Sequence, residues 1–194
     1  MNTASIEVRM SPDEDRALWR RWLGGDAGAG GALSRRLHPA LRSFFASKAV
    51  AGDVEDLIQQ VWLALGETLR RHPDVEIATS VRAYLLGVAR YVLFRHIRQR
   101  ARGGAIDPIE SSIAALEPSL SQIVGRELEA QRMLRALQRL PVDIQILLEL
   151  RYVQNLTSAE LASLYAIAEG TVKSRLARAR RLLEDELKQG GTTP

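Results

Sequence analysis

Basic side chains are concentrated in two stretches of the sequence, where they could bind a polyanion. Residues 77–106 contain six arginines and no acid, and residues 171–181 contain five basic residues and again no acid. Residues 107–125, in contrast, contain three acids and no base. Because guanidinium and ammonium groups pair with phosphates, the two basic stretches predict two nucleic-acid-binding surfaces. The alternative is that they are the solvated faces of ordinary helices.

The residues around these stretches repeat apolar side chains at helical spacing. Such a repeat predicts helices that bury one face, and no strand-like alternation of any length is present. The sequence therefore predicts an all-α protein, with a break between two C-terminal helices at Pro141. The repeats are Val54, Leu57, Ile58, Val61 and Leu65; Val81, Leu85, Val88 and Val92; Leu134, Leu137 and Leu140; and Ile144, Leu147 and Leu148.

Glycine and proline divide the 194 residues into segments. Residues 24–31 hold five glycines, which predicts a helix break or a flexible turn. Gly103 and Gly104, followed by Pro108 and Pro118, are typical of a linker. We predict two small helical domains, residues 12–102 and 123–188, joined by a flexible acidic linker over residues 103–122. That linker could occupy a channel built for nucleic acid or serve only as a tether.

A helix-turn-helix is predicted near the C-terminus. Thr157 and Glu160 have the spacing of a capping box, and a second helix begins near Glu169. Val172, Leu176, Ala179 and Leu183 share one face of this second helix, and its opposite face is basic. The outer residues of such a helix enter the major groove of DNA. A plain helical hairpin is the alternative.

Composition excludes several other classes of protein. Cysteine is absent and the three histidines are far apart, so disulfides, thiol catalysis and a histidine-rich metal site are not expected. No convergent set of catalytic groups is recognisable, so we predict neither an enzyme nor a bound cofactor. The sequence has no signal peptide and no apolar span long enough for a bilayer, which predicts a cytoplasmic protein with no membrane partner.

The chain resembles the extracytoplasmic-function group of bacterial RNA polymerase sigma factors. Residues 160–162 and 169–180 resemble the promoter-reading helix-turn-helix of that family, and residues 140–152 fit the same domain. Residues 53–62 resemble its polymerase-binding helix, and residues 82–90 the start of its helix for the −10 element. The resemblance implies an alternative sigma factor that binds core polymerase and directs initiation at a subset of promoters.

The resemblance also implies partners and a role for each basic or acidic surface. The implied partners are core RNA polymerase, through its clamp coiled coil and flap, promoter DNA, and in many relatives an anti-sigma protein. Acidic and amide groups suit an arginine-rich polymerase surface, and Trp62 and Leu63 could add an apolar anchor. The implied polymerase-binding residues are Asp53, Glu55, Asp56, Gln59, Gln60, Trp62 and Leu63. Those implied for the −10 element are Arg71, His72, Tyr91, Arg95, Arg98 and Arg102. Those implied for the −35 element are Thr171, Lys173, Ser174, Ala177, Arg178 and Arg181.

Four positions depart from the family pattern. The family commonly has asparagine where this chain has Tyr91 and aspartate where it has Arg95. The family's preferred sequence for the −10 element therefore does not carry over to this chain. The family usually has Gly at Ala166 and a Ser cap at Ala168, and alanine is a poor N-cap. Two other functions are compatible with the residues alone: a helix-turn-helix regulator that binds duplex DNA without polymerase, and a helical adaptor for acidic partners.

Overall fold

A computed structural model describes the chain over residues 12–48, 53–72, 77, 79–100, 112 and 128–189. Within these residues it forms eight α-helices and no strand, with one isolated bridge between Ser112 and Pro141. The all-α prediction is confirmed. The helices are α1 (Pro12–Leu23), α2 (Ala27–Ala46), α3 (Val54–Arg71), α4 (Val81–Arg100), α5 (Leu128–Arg139), α6 (Val142–Tyr152), α7 (Ser158–Tyr165) and α8 (Glu169–Gln189).

The break predicted over residues 24–31 is wrong in its extent. Only Gly24 and Gly25 lie in the turn, and α2 begins at Ala27. The reason is Asp26, whose carboxylate accepts a hydrogen bond from the Ala29 backbone amide at 3.0 Å and so caps the helix. That hydrogen bond, together with the Arg21 guanidinium, lowers the pKa of Asp26. A local cap therefore outweighs the low helix propensity of the following glycines.

Gly30 has a packing function inside α2. A Cβ atom at this position would lie 2.7 Å from the Trp22 indole ring, which is too close for a side chain. Trp22 meets Trp19 edge-on, with ring centroids 5.7 Å apart, and Trp19 is buried in the core. The glycine thus allows the indole of α1 to lie directly on α2.

The helices of the N-terminal half bury the faces that the repeats predict. All five apolar residues of the α3 repeat are buried. In α4, Val81, Leu85 and Val92 are buried and Val88 is partly buried. Phe44 and Phe45 from α2 are fully buried and pack edge-to-face, with ring centroids 5.2 Å apart.

The C-terminal half contains the predicted helix-turn-helix. Pro141 separates α5 from α6, and the capping box at the start of α7 is present, with Thr157 Oγ1 accepting from the Glu160 amide at 3.2 Å. α7 ends at Ala166, whose backbone is left-handed at φ 51° and ψ 46°. Glycine adopts this conformation without the steric penalty that a Cβ imposes, which accounts for the family's glycine there.

The two halves of the chain pack on each other and share one hydrophobic core. Ile146 and Leu150 from α6 and Leu161 from α7 belong to the same buried cluster as Leu37 and Phe44 from α2. The domain boundaries remain predictions. The predicted linker, residues 103–122, lies outside the described residues except for Ser112. None of the helices in the described ranges is long and apolar enough to cross a bilayer.

Candidate nucleic-acid interface

The outer face of α8 carries the residues predicted for the −35 element. Val172 and Leu176 are buried and Ala179 is fully buried, and they hold the helix against the rest of the C-terminal half. The opposite face is left open to solvent. Thr171, Lys173, Ser174, Arg178 and Arg181 are exposed, and Ala177 is partly buried.

Two local contacts restrain this face. Ser174 Oγ donates to the Gly170 carbonyl oxygen at 3.1 Å, and Lys173 Nζ lies 3.1 Å from a Glu169 carboxylate oxygen one turn earlier. Both Lys173 and Glu169 are largely exposed, so their pairing is weak and leaves the ammonium group available to a phosphate or a base edge. The first turns of α8 thus present cations and a hydroxyl, which are the groups that read a major groove.

The residues predicted for the −10 element lie at the end of α3, on α4 and outside the described residues. Arg71 and His72 lie exposed at the end of α3. On α4, the Tyr91 side chain is 61% exposed, which excludes a core role for its ring, and Arg98 is also exposed. Arg102 lies outside the described residues. The exposed residues supply an aromatic ring and guanidinium groups, which can stack on unpaired bases and bind phosphates.

Arg95 differs from the other predicted −10 residues because it is partly buried. Its Nη2 donates to Gln60 Oε1 at 2.8 Å, and Gln60 is one of the residues predicted to bind polymerase. The structure therefore joins one member of each predicted set through a contact between α4 and α3.

Phe94 is buried in the core. The Arg90 guanidinium lies 4.4 Å from the centroid of its ring, and the Arg98 guanidinium 6.0 Å. Arg90 and the exposed Arg98 are thus neighbours on the surface of α4.

The acidic face predicted for polymerase binding lies along α3. Glu55, Asp56 and Gln59 are exposed, while Asp53 and Gln60 are partly buried. Glu55 pairs with Arg42 from α2, and Asp53 Oδ2 lies 3.6 Å from His96 Nε2 on α4. The Arg42 guanidinium therefore partly compensates the negative charge of this face.

The two apolar residues of the acidic face differ in exposure. Leu63 is 67% exposed, whereas Trp62 packs partly against the core and meets Trp22 edge-on at 6.2 Å between ring centroids. Trp62 Nε1 is buried. Leu63 is therefore the large apolar side chain that this face offers to a partner.

A third basic group, which the site prediction omits, lies between the two halves. Lys48 pairs with Glu149, and Arg90 donates to Asp143 Oδ1 from Nε at 3.0 Å and from Nη2 at 2.8 Å. Arg82 Nη2 donates to Gln154 Oε1 at 2.6 Å. The signal that could have identified Arg82 and Arg90 was already visible, since both belong to the acid-free stretch over residues 77–106.

Burial changes the ionisation of this group. It lowers the pKa of Lys48 and raises the pKa of Glu149, although each charge partly offsets the effect on the other. Burial also lowers the pKa of Arg82. For Glu160, burial alone would raise the pKa, but hydrogen bonds from Ser80 and Thr157 and the charge of Arg82 lower it overall.

An open cleft of about 390 Å³ separates the halves at one edge of their contact. α3, α4 and α7 line it, with Tyr84 and Tyr91 on one side and Leu164 on the other. A Cβ atom built on Gly87 would lie 3.5 Å from Leu164 Cγ, so α4 and α7 touch directly beside the cleft.

Two family models match the chain, and they cover both halves. Sigma-70 region 2 matches residues 32–103, and Sigma-70, region 4 matches residues 130–183. The extracytoplasmic-function RNA polymerase sigma factor SigL of Mycobacterium tuberculosis is 30% identical over 178 residues, which cover 88% of this chain and 98% of SigL.

Two solved structures have a similar fold, and one of them is a sigma factor. RpoE of Bartonella quintana, crystallised with the anti-sigma factor NepR, has a TM-score of 0.55 and 27% identity, over 78% of this chain and 92% of RpoE. CnrH, in complex with the cytosolic domain of CnrY, has a TM-score of 0.64 over 91% of this chain and 98% of CnrH; at 20% identity it supports the fold alone.

Proposed function

The chain belongs to the extracytoplasmic-function group of RNA polymerase sigma factors, which direct transcription initiation, and we propose that its exposed faces divide that work as the sequence predicts. The observation that carries the proposal is that exposed basic side chains are collected on α4 and α8 and exposed acidic side chains on α3. DNA and polymerase can then bind different groups of side chains of one chain. The chain itself supplies recognition, and the polymerase supplies the catalysis.

The outer face of α8 reads the −35 element. Lys173 and Arg178 are exposed on the first turns, where they can donate to guanine O6 and N7 or to phosphates. The hydroxyl groups of Ser174 and Thr171 can donate hydrogen bonds to a base edge or to a phosphate. Ala177 lies on the same face, where its methyl group can contact thymine.

The α4 surface holds the −10 element. Tyr91 and Arg98 are exposed, so an unpaired base can stack on either side chain while the guanidinium binds the backbone. Arg71 and His72, exposed at the end of α3, also contribute to binding of this element. Because Tyr91 and Arg95 differ from the family pattern, the preferred sequence is this chain's own.

The acidic face of α3 binds the polymerase clamp, with Leu63 as its apolar anchor, and the C-terminal half binds the flap. Both binding events take place in the cytoplasm, where polymerase and chromosomal DNA are found. RpoE of Bartonella quintana was solved with the anti-sigma factor NepR, which supports an anti-sigma partner for this chain as well.

In vitro transcription with core polymerase tests the proposal. We expect a promoter-specific transcript from genomic templates only when this protein is added. If no template gives such a transcript, the proposal is wrong. Tight, sequence-specific binding of the isolated chain to duplex DNA, without any transcript, would instead indicate a helix-turn-helix regulator.

Three variants test the division of labour. Lys173→Ala and Arg178→Ala should weaken binding of the holoenzyme to the −35 element and leave core binding unchanged. Gln59→Ala should mainly weaken binding to core. All three side chains are exposed, so none should affect folding. Equal loss of both activities in all three variants would contradict the separate roles.

A further inference from the structure

Two arginines of α1 are exposed and belong to none of the surfaces described above. Arg16 and Arg20 lie four residues apart on the helix, so their side chains leave the same face, one turn from each other. Neither was among the residues predicted from the sequence to bind DNA or polymerase. We therefore asked what lies beside this face and which ligand its charge would suit.

The acidic residues at the start of α1 leave the face positive. Asp13, Glu14 and Asp15 form the first turn of the helix with Pro12. Arg36 from α2 pairs with Glu14 at 2.9 Å and with the buried Asp15 at 2.8 Å, so two of the three carboxylates are compensated where α1 meets α2. The exposed Asp13 offsets the two arginines only in part.

Two contacts join α1 to the beginning of α4. Arg16 Nη2 donates to the Thr79 carbonyl oxygen at 3.2 Å, two residues before α4 begins. One turn further along α1, Trp19 meets the Tyr84 ring of α4 edge-on, with ring centroids 6.0 Å apart. Because Thr79, Tyr84 and Tyr91 line the same cleft, Arg16 is hydrogen-bonded to one of the residues that form it.

We propose that Arg16 and Arg20 bind the phosphates of an unpaired DNA strand whose bases stack on the tyrosines of α4. The inference rests on the proposed function, because it extends the surface assigned there to the −10 element. The α1 arginines hold the sugar-phosphate backbone beside Tyr84, and Tyr91 and Arg98 hold the same strand further along α4.

Arg16 suits this role because its guanidinium is already held in place. A guanidinium carries five N–H donors, and the Thr79 carbonyl accepts from one of its nitrogens. The side chain is nevertheless exposed, so the other donors are accessible to a phosphate oxygen. An arginine that is fixed before binding loses less conformational entropy on binding than a free one.

The face of α4 beside these arginines is aromatic and basic. Tyr84, Tyr91 and Arg98 are spaced seven residues apart, so they share one face of the helix and span about 21 Å at about 1.5 Å per residue. Residues 77–106 contain no acid that would repel a phosphate. Rings and cations in one row are the groups that bind single-stranded nucleic acid, and the α1 arginines add cations at the Tyr84 end of the row.

Binding of the holoenzyme to a fork-junction template, in which the −10 strand is unpaired, tests the proposal. Each phosphate contact on a single strand contributes about 0.7 to the slope of log K against log salt concentration. Arg16→Gln and Arg20→Gln should each reduce the slope by about 0.7, so the advantage of the wild type shrinks about 2.6-fold between 50 and 200 mM salt. The double variant should lose about twice that slope.

Arg35→Gln is the matched control. Arg35 is exposed on α2 and lies five residues from Gly30, about 140° around the helix from the place where Trp22 packs. Its substitution removes the same charge and should leave the slope unchanged. A purely structural role of Arg16, through Thr79, would weaken binding equally at every salt concentration. If both α1 variants keep the wild-type slope, or if Arg35→Gln lowers it as much as they do, the proposal is wrong.

The same titration on the intact duplex distinguishes the unpaired strand from the double helix. At a temperature at which the promoter stays closed, Arg16→Gln and Arg20→Gln should both have the wild-type slope. Equal losses of slope on the duplex and on the fork junction would refute the assignment to an unpaired strand.

Arg98→Gln separates failure of this inference from failure of the proposed function. It should reduce the slope on the fork junction, because Arg98 belongs to the surface proposed for the −10 element. A reduced slope for Arg98→Gln with unchanged slopes for the α1 variants would refute the inference alone. Reduced slopes for the α1 variants with an unchanged slope for Arg98→Gln would support the α1 surface and contradict the role proposed for Arg98. Unchanged slopes in all three variants would refute both.

Discussion

A disulfide between the two halves should abolish promoter-specific transcription. Gly87 on α4 and Leu164 on α7 suit the test, because a Cβ on Gly87 would lie 3.5 Å from Leu164 Cγ. The sulfur of a cysteine at position 164 would lie near the place of Leu164 Cγ, so the two cysteine side chains would be close enough to form a disulfide after a small adjustment. The chain has no cysteine of its own, so Gly87→Cys combined with Leu164→Cys creates a single defined pair.

The expected loss follows from the dimensions of the closed chain. A protein of this length has a radius of gyration of about 16 Å, which corresponds to a diameter of about 42 Å. The −10 and −35 elements are about 25 base pairs apart, or about 85 Å along B-form DNA. The halves cannot contact both elements while they share one core, so transcription requires their separation.

The assay compares oxidised and reduced forms of the same protein on one promoter. At about 95% crosslinking, the transcript should fall about 20-fold, because only the uncrosslinked fraction is competent. Reductant should restore it. In the chain-entropy model, closing a loop of roughly 78 residues also stabilises the fold by about 4.5 kcal/mol, which a raised melting temperature would verify. The single variants, treated with the same oxidant, are the controls.

A fully crosslinked protein that transcribes as well as its reduced form would refute the reasoning. The contact between the halves would then be compatible with promoter binding. Binding to core polymerase, measured in parallel, indicates which step the crosslink blocks.

Three further predictions concern stability and pH. Gly30→Ala should destabilise the protein by about 1–3 kcal/mol in urea denaturation, because its Cβ would meet Trp22 at 2.7 Å. Gly66→Ala, inside α3 with open space around it, should instead stabilise by about 0.5–1 kcal/mol, and a loss at both positions would contradict this account. Ala166→Gly should raise the free energy of unfolding by about 1 kcal/mol in the same assay, because φ at this position is 51°. An unchanged free energy of unfolding would show that the left-handed backbone is unstrained. The lowered pKa of Glu160 contributes stability that is present above about pH 4.5 and is lost as the pH falls through the pKa of the folded state. Glu160→Gln should therefore make the melting temperature fall less steeply as the pH is lowered. A curve of melting temperature against pH that is parallel to that of the wild type would refute this contribution.

The helices could be predicted because their signals are local. The α3 repeat requires only that every third or fourth residue be apolar, and the structure buries all five of its members. The capping box at Thr157 likewise involves a few neighbouring residues. The number of glycines in residues 24–31 does not predict the helix there, because two other residues decide the structure: Asp26 caps α2, and Trp22 requires a small residue at Gly30.

The exposure of the α8 face was predictable for the same reason, but contacts between helices were not. Arg95 lies on the basic side of α4 in the sequence pattern, and yet its guanidinium binds Gln60, 35 positions away. Helical periodicity assigns a residue to a face and carries no information about which side chain of another helix lies opposite that face.

The pairing of the two halves shows how this limit affects a prediction of function. The basic stretch over residues 77–106 suggests six free arginines, but Arg90 pairs with Asp143, 53 positions away, and Arg82 with Gln154. Each pairing replaces water around a cation by a group of the chain, so the closed molecule presents less positive surface than its sequence suggests. The number of six free arginines would apply only if the two halves were separated. Because a carboxylate of the chain can pair with a guanidinium group as a phosphate does, the number of basic residues along the chain overstates the positive surface of the folded molecule.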